Sequence, residues 1–463
     1  MPSIDIESKP TTETEEFVQN APVYAETLKL DPNGSMVDMG WIQINALSKN
    51  SAFIPLSEAM GVTVTEASYS TTIAIVLAGV APLVYAPLSK LYGRRPVYLL
   101  STALGVGANA GCAVVSSWAP LLVLRALVGI GTSTSMGIGA NVVADLYFMH
   151  ERGTVTNGAH LAAILGGFIA KYAGWRWCYW TPAIILGSTW VINIFCMPET
   201  LYRRDPVTGA SRRKTKSWAQ LLKFIAVPAP KSIRLYDIVH CFIMLKYPSV
   251  LLAGFYYSIA FGAGTVLFAV TGAAAFGSTY KFDTAQVGMA IGLSTMAGSI
   301  IGETVSGPVS DKLLSLMNKR RGGNAEPEVR LYATWPGGFL LPAGVIIEGV
   351  CLQYRTHWMG PVMGIAIGAF GLQIVSTNIF AYLTDCYKPQ STEISTLLNF
   401  GRLVFSFTLG FYMIPFAQET TYGIAWAVIG IITFVLYGGI LLLLWKGAKW
   451  RNKLHPPHFD EDM

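Results

Sequence analysis

Charged residues are scarce in this sequence. Only 13% of its 463 residues are Asp, Glu, Lys or Arg, whereas 52% are apolar, and the mean hydropathy is +0.46. A water-soluble domain carries about 25% charged residues to cover its surface. The charges are also clustered, which leaves windows of about 20 residues that are long enough to cross a bilayer as a helix. The composition therefore predicts an integral membrane protein built of α-helices.

Signals for other classes of protein are also missing. The six cysteines have no CxxC spacing, so they predict neither metal nor redox chemistry. Without a nucleophile–base set or a phosphate-binding loop, an enzyme is disfavoured, and no cofactor, metal or nucleic-acid partner is predicted. The first 40 residues are acidic and contain no apolar core of a signal peptide, so we interpret them as a disordered cytoplasmic tail.

Ten segments have little or no charge, and each predicts a membrane-spanning helix, because a helix satisfies its own backbone hydrogen bonds in lipid. They are 69–89, 97–118, 119–144, 177–198, 247–279, 284–302, 331–347, 358–384, 394–417 and 421–445. Two regions are weaker. The apolar part of 153–170 is only about a dozen residues long, and 36–60 contains polar side chains that are costly in a bilayer.

Lys and Arg are concentrated in alternate connections. They gather at 90–95, 203–246, 312–330 and 446–453, and the positive-inside rule predicts that these connections are cytoplasmic. The predicted organisation is an acidic tail (1–40), a first helix bundle (41–200) with a degraded first helix and a short fifth helix, a basic cytoplasmic linker (201–246), a second bundle (247–446) and a cytoplasmic tail (447–463).

The two halves repeat one short segment. APLSKL at 86–91 in the first half matches GPVSDK at 307–312 in the second. Each follows a strong span, and both are expected to form cytoplasmic turns. Two half-bundles with matching turns are typical of transporters in which one half rocks against the other around a central site.

The chain resembles the major facilitator superfamily and, within it, the fungal drug:proton antiporter branch. The segments that carry the resemblance are PLSKLYGRRPVYL (87–99), RALVGIG (125–131), VVADLYFMHERG (142–153), GGFIAKYAGWRW (166–177), PETLYRR (198–204), SGPVSDK (306–312) and EPEVRL (326–331). The resemblance implies an all-α membrane protein of two six-helix bundles with both termini cytoplasmic, in which helices one and five are shortened here. It also implies proton-coupled movement of small organic molecules, usually outward.

The resemblance places a gate at the end of span two. The family pattern G-x-x-x-D-R-x-G-R-R is matched by Gly93, Arg94 and Arg95, but Lys90 stands in the position of the Asp. The internal repeat supports the same inference, because Asp311 occupies the equivalent place in the second half. Lys90 is predicted either to alter the gate or only to snorkel and add to the positive-inside bias.

Three more charged residues belong to the predicted gate. Asp145, Arg152 and Glu199 lie at the cytoplasmic ends of spans four and six, where pairing with Arg94 is expected. A static charge network is the interpretation that we favour for them.

Three residues are candidates for proton coupling. Arg125 matches the family's R-x-x-x-G, in which the Arg is associated with coupling, and a structural pair between helices is the alternative. Glu303 lies near the predicted cytoplasmic end of span eight. A carboxyl in lipid usually has a raised pKa, which suits proton carriage. The alternative is a latch to the following turn. His160 could titrate near neutral pH or be structural. Span five beside it lacks the proline of the family's antiporter motif, which weakens the case for export.

Aromatic and polar residues in spans seven, ten and eleven predict a substrate cavity. They are Tyr256, Tyr257, Phe261, Gln373, Asn378, Asn399 and Arg402. Aromatic rings with a few amides suit an amphipathic or cationic organic substrate, although each residue is also compatible with helix packing.

The leading hypothesis is a monomeric, proton-coupled exporter of drugs, toxins or secondary metabolites in the plasma membrane. Its partners are then a small-molecule substrate, protons and the lipid bilayer. Two alternatives stay open. One is an importer of an organic cation such as a polyamine. The other is a non-transporting, degenerate or mis-spliced relative, which the short helices and Lys90 suggest.

Overall fold

The computed structural model describes residues 52–134, 161–196, 239–320, 326–387 and 390–454, whose regular structure is all helical. The helices of the first half are α1 (Phe53–Met60), α2 (Val64–Tyr92), α3 (Arg94–Val114), α4 (Trp118–Thr132), α5 (Leu161–Tyr172) and α6 (Trp177–Cys196). Those of the second half are α7 (Pro248–Phe261), α8 (Leu267–Tyr280), α9 (Thr284–Arg320), α10 (Trp335–Gln353), α11 (Met359–Cys386), α12 (Ser391–Glu419) and α13 (Tyr422–Lys453).

The helices coincide with the predicted spans. Nine segments of the described residues are long and apolar enough to cross a membrane, and α4 is a shorter apolar helix. Helices α7 and α8 form one of these segments, and the 3₁₀ helix Pro327–Thr334 leads into α10. Helix α5 begins at the first described residue after 135–160, so the shortened fifth helix stays a prediction. Of the region 36–60, the described part contains α1, with eight residues.

The surface of the helices supports membrane insertion. Several large apolar side chains are more than half exposed, namely Leu100, Val123, Phe195, Ile301 and Val435. In water a continuous surface of this kind is unfavourable, whereas in a bilayer it contacts lipid. The multi-pass membrane architecture is therefore confirmed by both the length and the surface of the helices.

Two helices continue where turns were predicted. Residues 86–91 belong to α2, and residues 307–312 belong to α9, which has 37 residues. The prediction of turns was wrong because a helix that leaves the membrane keeps its backbone hydrogen bonds while its charged side chains reach water. The break in the first half is the single residue Gly93, whose φ of 101° strains any residue with a side chain.

The connections place the helix ends at two faces of the molecule. The basic end is the face formed by Gly93, the end of α9, the start of α10 and the end of α13. The cations on this face are Arg94, Arg95, Lys319, Arg330 and Arg451. The far end is the opposite face, formed by the connections 115–117, 173–176, 281–283, 354–358 and 420–421.

A π-turn interrupts the first span of the second half. Gly262–Val266 joins α7 to α8 inside the 33-residue apolar segment Pro248–Tyr280. A π-turn holds one residue more than an α-helical turn and is frequent at functional sites. The extra residue changes the position of the α8 side chains around the helix axis relative to those of α7.

The two halves contact each other through α2 with α12 and through α5 with α9. On α2 and α12 the contacts extend from the far end to the middle of α2, where a Cβ at Gly79 would lie 2.9 Å from Leu403 Cβ. The ring of Tyr69 is 4.7 Å from the ring of Phe411, and a Cβ at Gly410 would overlap Thr72. Helix α5 meets α9 at the same face, so the described contacts hold the far end closed.

Candidate functional site

Arg125 lies in the middle of α4 and is only 1% exposed. Its Nε donates to the backbone oxygen of Ser70 (3.1 Å), and its Nη2 donates to Thr71 Oγ1 (3.0 Å), both on α2. Its guanidinium also lies 5.9 Å from the centroid of the Tyr179 ring on α6. A carbonyl, a hydroxyl and an aromatic face thus replace water around the charge. Nη1 has no hydrogen-bond partner among the described residues.

This arginine supports the contact between the halves. The two residues of α2 that Arg125 binds are flanked by Tyr69 and Thr72, which contact α12. Gly129, one turn after Arg125, lies so close to Ala74 of α2 that a Cβ there would overlap its backbone. The R-x-x-x-G pattern therefore fixes α4 against the part of α2 that joins the halves.

Three of the predicted cavity residues meet in the second half. Arg402 Nη1 donates to the hydroxyl of Tyr257 (3.0 Å), and its guanidinium lies 4.5 Å from the centroid of the Phe261 ring. Phe380 packs edge-on against Tyr257 at 5.3 Å between ring centroids. Asn399 is buried one turn before Arg402 on α12. We call Tyr257, Phe261, Phe380 and Arg402 the aromatic cluster; it combines a half-buried cation with three rings.

Tyr256 lies elsewhere, although it is the neighbour of Tyr257 in the sequence. Its ring packs against Tyr437 of α13 at 5.5 Å between centroids, and it is 1% exposed. Neighbouring residues of a helix point about 100° apart, so Tyr256 faces α13 while Tyr257 faces Arg402. Its contact is one of helix packing.

The amides predicted for the cavity lie between α9 and α11. Asn378 Nδ2 donates to Ser306 Oγ at 3.0 Å, and a Cβ at Gly302 would lie 2.8 Å from the Cβ of Gln373. Glu303 follows Gly302 directly after the apolar run of α9, and the helix extends far beyond it. These residues form a second polar group, separate from the aromatic cluster.

The residues of the predicted gate in the first half surround Gly93. Arg95 is 2% exposed, and its Nη2 donates to the backbone oxygen of Ile194 at 2.6 Å. Residue 198, four positions after Ile194, is a proline and has no N–H for the Ile194 oxygen, so this carbonyl is available to Arg95. Lys90 lies in the last turn of α2, where a cation gains about 0.3–1 kcal/mol from the helix dipole. Arg94 begins α3.

The second half has ion pairs at the equivalent place. Arg330 Nη1 lies 2.8 Å from Asp311 Oδ1, and its Nε lies 2.6 Å from Asp385 Oδ2. Arg451 donates to Glu328 through Nε and Nη2, at 3.1 and 3.2 Å. These contacts tie α9, α11 and α13 to the 3₁₀ helix before α10.

The model of the Major Facilitator Superfamily matches residues 41–407 of the chain. The chain belongs to this family. Among its relatives, the MFS transporter cpaT of Aspergillus oryzae is 32% identical over 341 residues, which cover 70% of this chain and 67% of cpaT. The efflux pump radE of Floropilus chiversii is 27% identical over 450 residues, or 90% of this chain and 81% of radE.

A solved structure shows the same fold. The crystal structure of the human organic anion transporter MFSD10 (TETRAN) superposes with a TM-score of 0.60 at 15% sequence identity, covering 89% of this chain and 100% of that one. The expected family and all-α fold are thereby confirmed, and the chain is a membrane transporter by family rather than an enzyme.

Four predicted site residues of this major facilitator chain lie outside the described residues; they are His160, Asp145, Arg152 and Glu199. Conversely, Arg330 had no role assigned to it from the sequence. It belongs to the family-like EPEVRL segment and stands directly before an apolar run. A lone arginine at the entrance of a span was a usable signal for an ion pair.

A buried acid of the second half was also missed. Glu348 of α10 is 0% exposed and accepts a hydrogen bond from Trp426 Nε1 of α13 at 2.8 Å. Its other carboxyl oxygen has no partner among the described residues. The residue comes directly after the predicted span 331–347, so a span one turn longer would have placed it inside the membrane.

Proposed function

We propose that this chain is a proton-coupled secondary transporter that exports small organic molecules such as drugs, toxins or secondary metabolites. The observation that carries the proposal is Arg125, a buried cation that binds the part of α2 in contact with α12. A proton that binds or leaves near this cation changes the electrostatic energy at the contact between the halves. The similarity to the efflux pump radE favours export.

The proposed transport cycle is alternating access. With the basic end in the cytoplasm, as the positive-inside rule expects, a molecule closed at its far end receives substrate from the cytoplasm. Movement of one half against the other then closes the basic end and releases the substrate outside. The proposed setting is the plasma membrane, and a single chain carries both halves.

The aromatic cluster is the proposed substrate contact. Tyr257, Phe261 and Phe380 offer apolar ring faces, and Arg402 adds a polar edge in the middle of α12. An amphipathic organic molecule places its apolar body on the rings and its polar group at that edge. Because α7 and α12 both contribute residues to the cluster, a movement of one helix against the other changes its geometry.

The experiment is a flux assay with the full chain in proteoliposomes under an imposed pH gradient. Rhodamine 6G is the amphipathic probe, and spermidine is the probe for organic-cation import. We expect Arg125→Ala to lower gradient-driven accumulation of the dye by about tenfold, because it removes hydrogen bonds of a charged group that are each worth about 1.5 kcal/mol or more. Exchange of dye for dye without a gradient should persist, because it needs no net proton movement.

Arg176→Ala is the control, since it removes another arginine of the same half, one that lies over the Trp175 ring and has no role in the predicted gate or cavity. It should keep gradient-driven accumulation. Equal losses in the two variants would overturn the role of Arg125. Spermidine entry driven by the gradient, with no dye movement, would replace export by import. No flux of either probe in any variant would favour a chain that does not transport.

A further inference from the structure

Lys171 and Asp283 form an ion pair at the far end. Lys171 lies in the last turn of α5, and Asp283 directly precedes α9. The Lys171 Nζ is 2.6 Å from Asp283 Oδ2. Helix α5 belongs to the first half and α9 to the second, so this pair joins the two halves across their boundary.

The carboxylate is held in position by the start of α9. Asp283 Oδ1 accepts a hydrogen bond from the backbone N–H of Thr284 at 2.6 Å, and the Asp283 N–H donates to Gln286 Oε1 at 3.0 Å. This reciprocal cap uses one carboxyl oxygen and leaves Oδ2 for Lys171. The Lys171 ammonium also holds the pKa of the Asp283 carboxyl below its ordinary value, so the pair is charged on both sides at neutral pH.

Close packing of the two helices brings the charges together. Gly167, one turn before Lys171, lies against α9, where a Cβ would be only 3.0 Å from the Thr284 oxygen and 3.1 Å from Gly288 Cα. Any side chain at this position would separate the helices. The glycine contact and the ion pair therefore lie side by side and depend on the same separation of α5 and α9.

We propose that Lys171 and Asp283 form a latch that stabilises the conformation closed at the far end. The proposal rests on the proposed function only in requiring that the halves move against each other. The two side chains are 41% and 43% exposed, so water competes for them and the pair breaks readily. A weak contact of this kind suits a state that must open in every cycle. Exposed pairs change an equilibrium by about two- to five-fold.

The test is a double-mutant cycle read out as a distance. Fluorophores on noncanonical amino acids at Ser116 and Thr356, which lie in far-end connections of opposite halves, leave the native cysteines in place. Lys171→Gln and Asp283→Asn each remove a charge, and Asn preserves the helix cap. We expect each variant to raise the ratio of open to closed far end about two- to five-fold. The double variant should match the single ones, because the pair is already broken.

Lys281→Gln is the control, since it removes a neighbouring charge from the same connection; it should leave the distances unchanged. Molar salt should open the wild type and not Lys171→Gln, because screening acts on the intact pair. Additive effects of the two substitutions, or an equal shift in the control, would overturn the latch. The distances are measured without substrate or pH gradient, so a failure of transport with an intact latch contradicts the proposed function alone.

Discussion

The described contacts of four arginines, two in each half, use different chemistry. In the second half, Arg330 and Arg451 pair with carboxylates. In the first half, the contacts shown for Arg95 and Arg125 are backbone carbonyls and a hydroxyl. A carboxylate neutralises the cation, whereas a carbonyl only orients it. Among the described contacts, carboxylates therefore bind Arg330 and Arg451, and carbonyl and hydroxyl oxygens bind Arg95 and Arg125.

The difference also concerns what each contact requires of the backbone. Arg95 depends on the backbone of α6, because its acceptor is the Ile194 carbonyl. Arg330 depends on two side chains from two other helices, namely Asp311 and Asp385. Ion pairs therefore tie three elements at the basic end of the second half, and the described contact of Arg95 ties α3 to α6 at the same end of the first half.

The largest effect is expected from removal of the paired arginine. Arg330→Ala leaves two carboxylates without their cation, and the cost should be about 2–3 kcal/mol of unfolding free energy, below the value for fully buried pairs, because Asp311 is 70% exposed. Arg95→Ala should cost about 1.5 kcal/mol, the lower end of the value for a hydrogen bond to a charged group. Unfolding of the purified protein in detergent measures both. Equal losses would remove the distinction between the halves.

Glu348 sharpens the comparison, because this acid of the second half is held by Trp426 and not by a cation. Glu348→Leu removes the acceptor of a buried N–H and should cost about 1–3 kcal/mol. Glu348→Gln keeps an acceptor and should cost less than about 1 kcal/mol. Thermal unfolding of the two variants provides the measurement. If Gln costs as much as Leu, the charge itself is required, and Glu348 resembles the paired acids.

The smallest effect is expected from exchanging the residues at the repeated position. Asp311→Lys places a cation beside Arg330 and should cost about 1 kcal/mol at this exposed site. Lys90→Asp loses the favourable end of the α2 dipole but gains attraction to Arg94, so stability should change by less than about 0.5 kcal/mol. Unfolding and the dye-flux rate are measured together. A large loss of stability in Lys90→Asp would show that the first half already uses this cation as a structural partner.

The number and position of the helices could be predicted from the sequence, because the free energy of a span depends on the length of its apolar run. The helix ends could not. The predicted span 284–302 is the apolar part of α9, which continues to Arg320. Charged residues beyond the apolar run, such as Asp311, do not end the helix, because the backbone hydrogen bonds form whether the side chains contact lipid or water.

The site was predictable where a local pattern defines it. Arg125 and Gly129 lie four residues apart, so one sequence motif records their common packing against α2. The latch could not be found in this way. Lys171 and Asp283 are far apart in the chain, and their meeting depends on the separation of two helices from different halves. Only the cap of α9, with Asp283 three residues before Gln286, is a local signal.

The π-turn at Gly262–Val266 divides one span into two rods of 14 residues each. The rod before it, α7, carries Tyr257 and Phe261 of the aromatic cluster, and the rod after it ends beside the connection that contains Asp283. Helices bend at π-turns, so α8 can move while α7 stays in place. Opening at the far end then need not disturb whatever is held by the rings of α7.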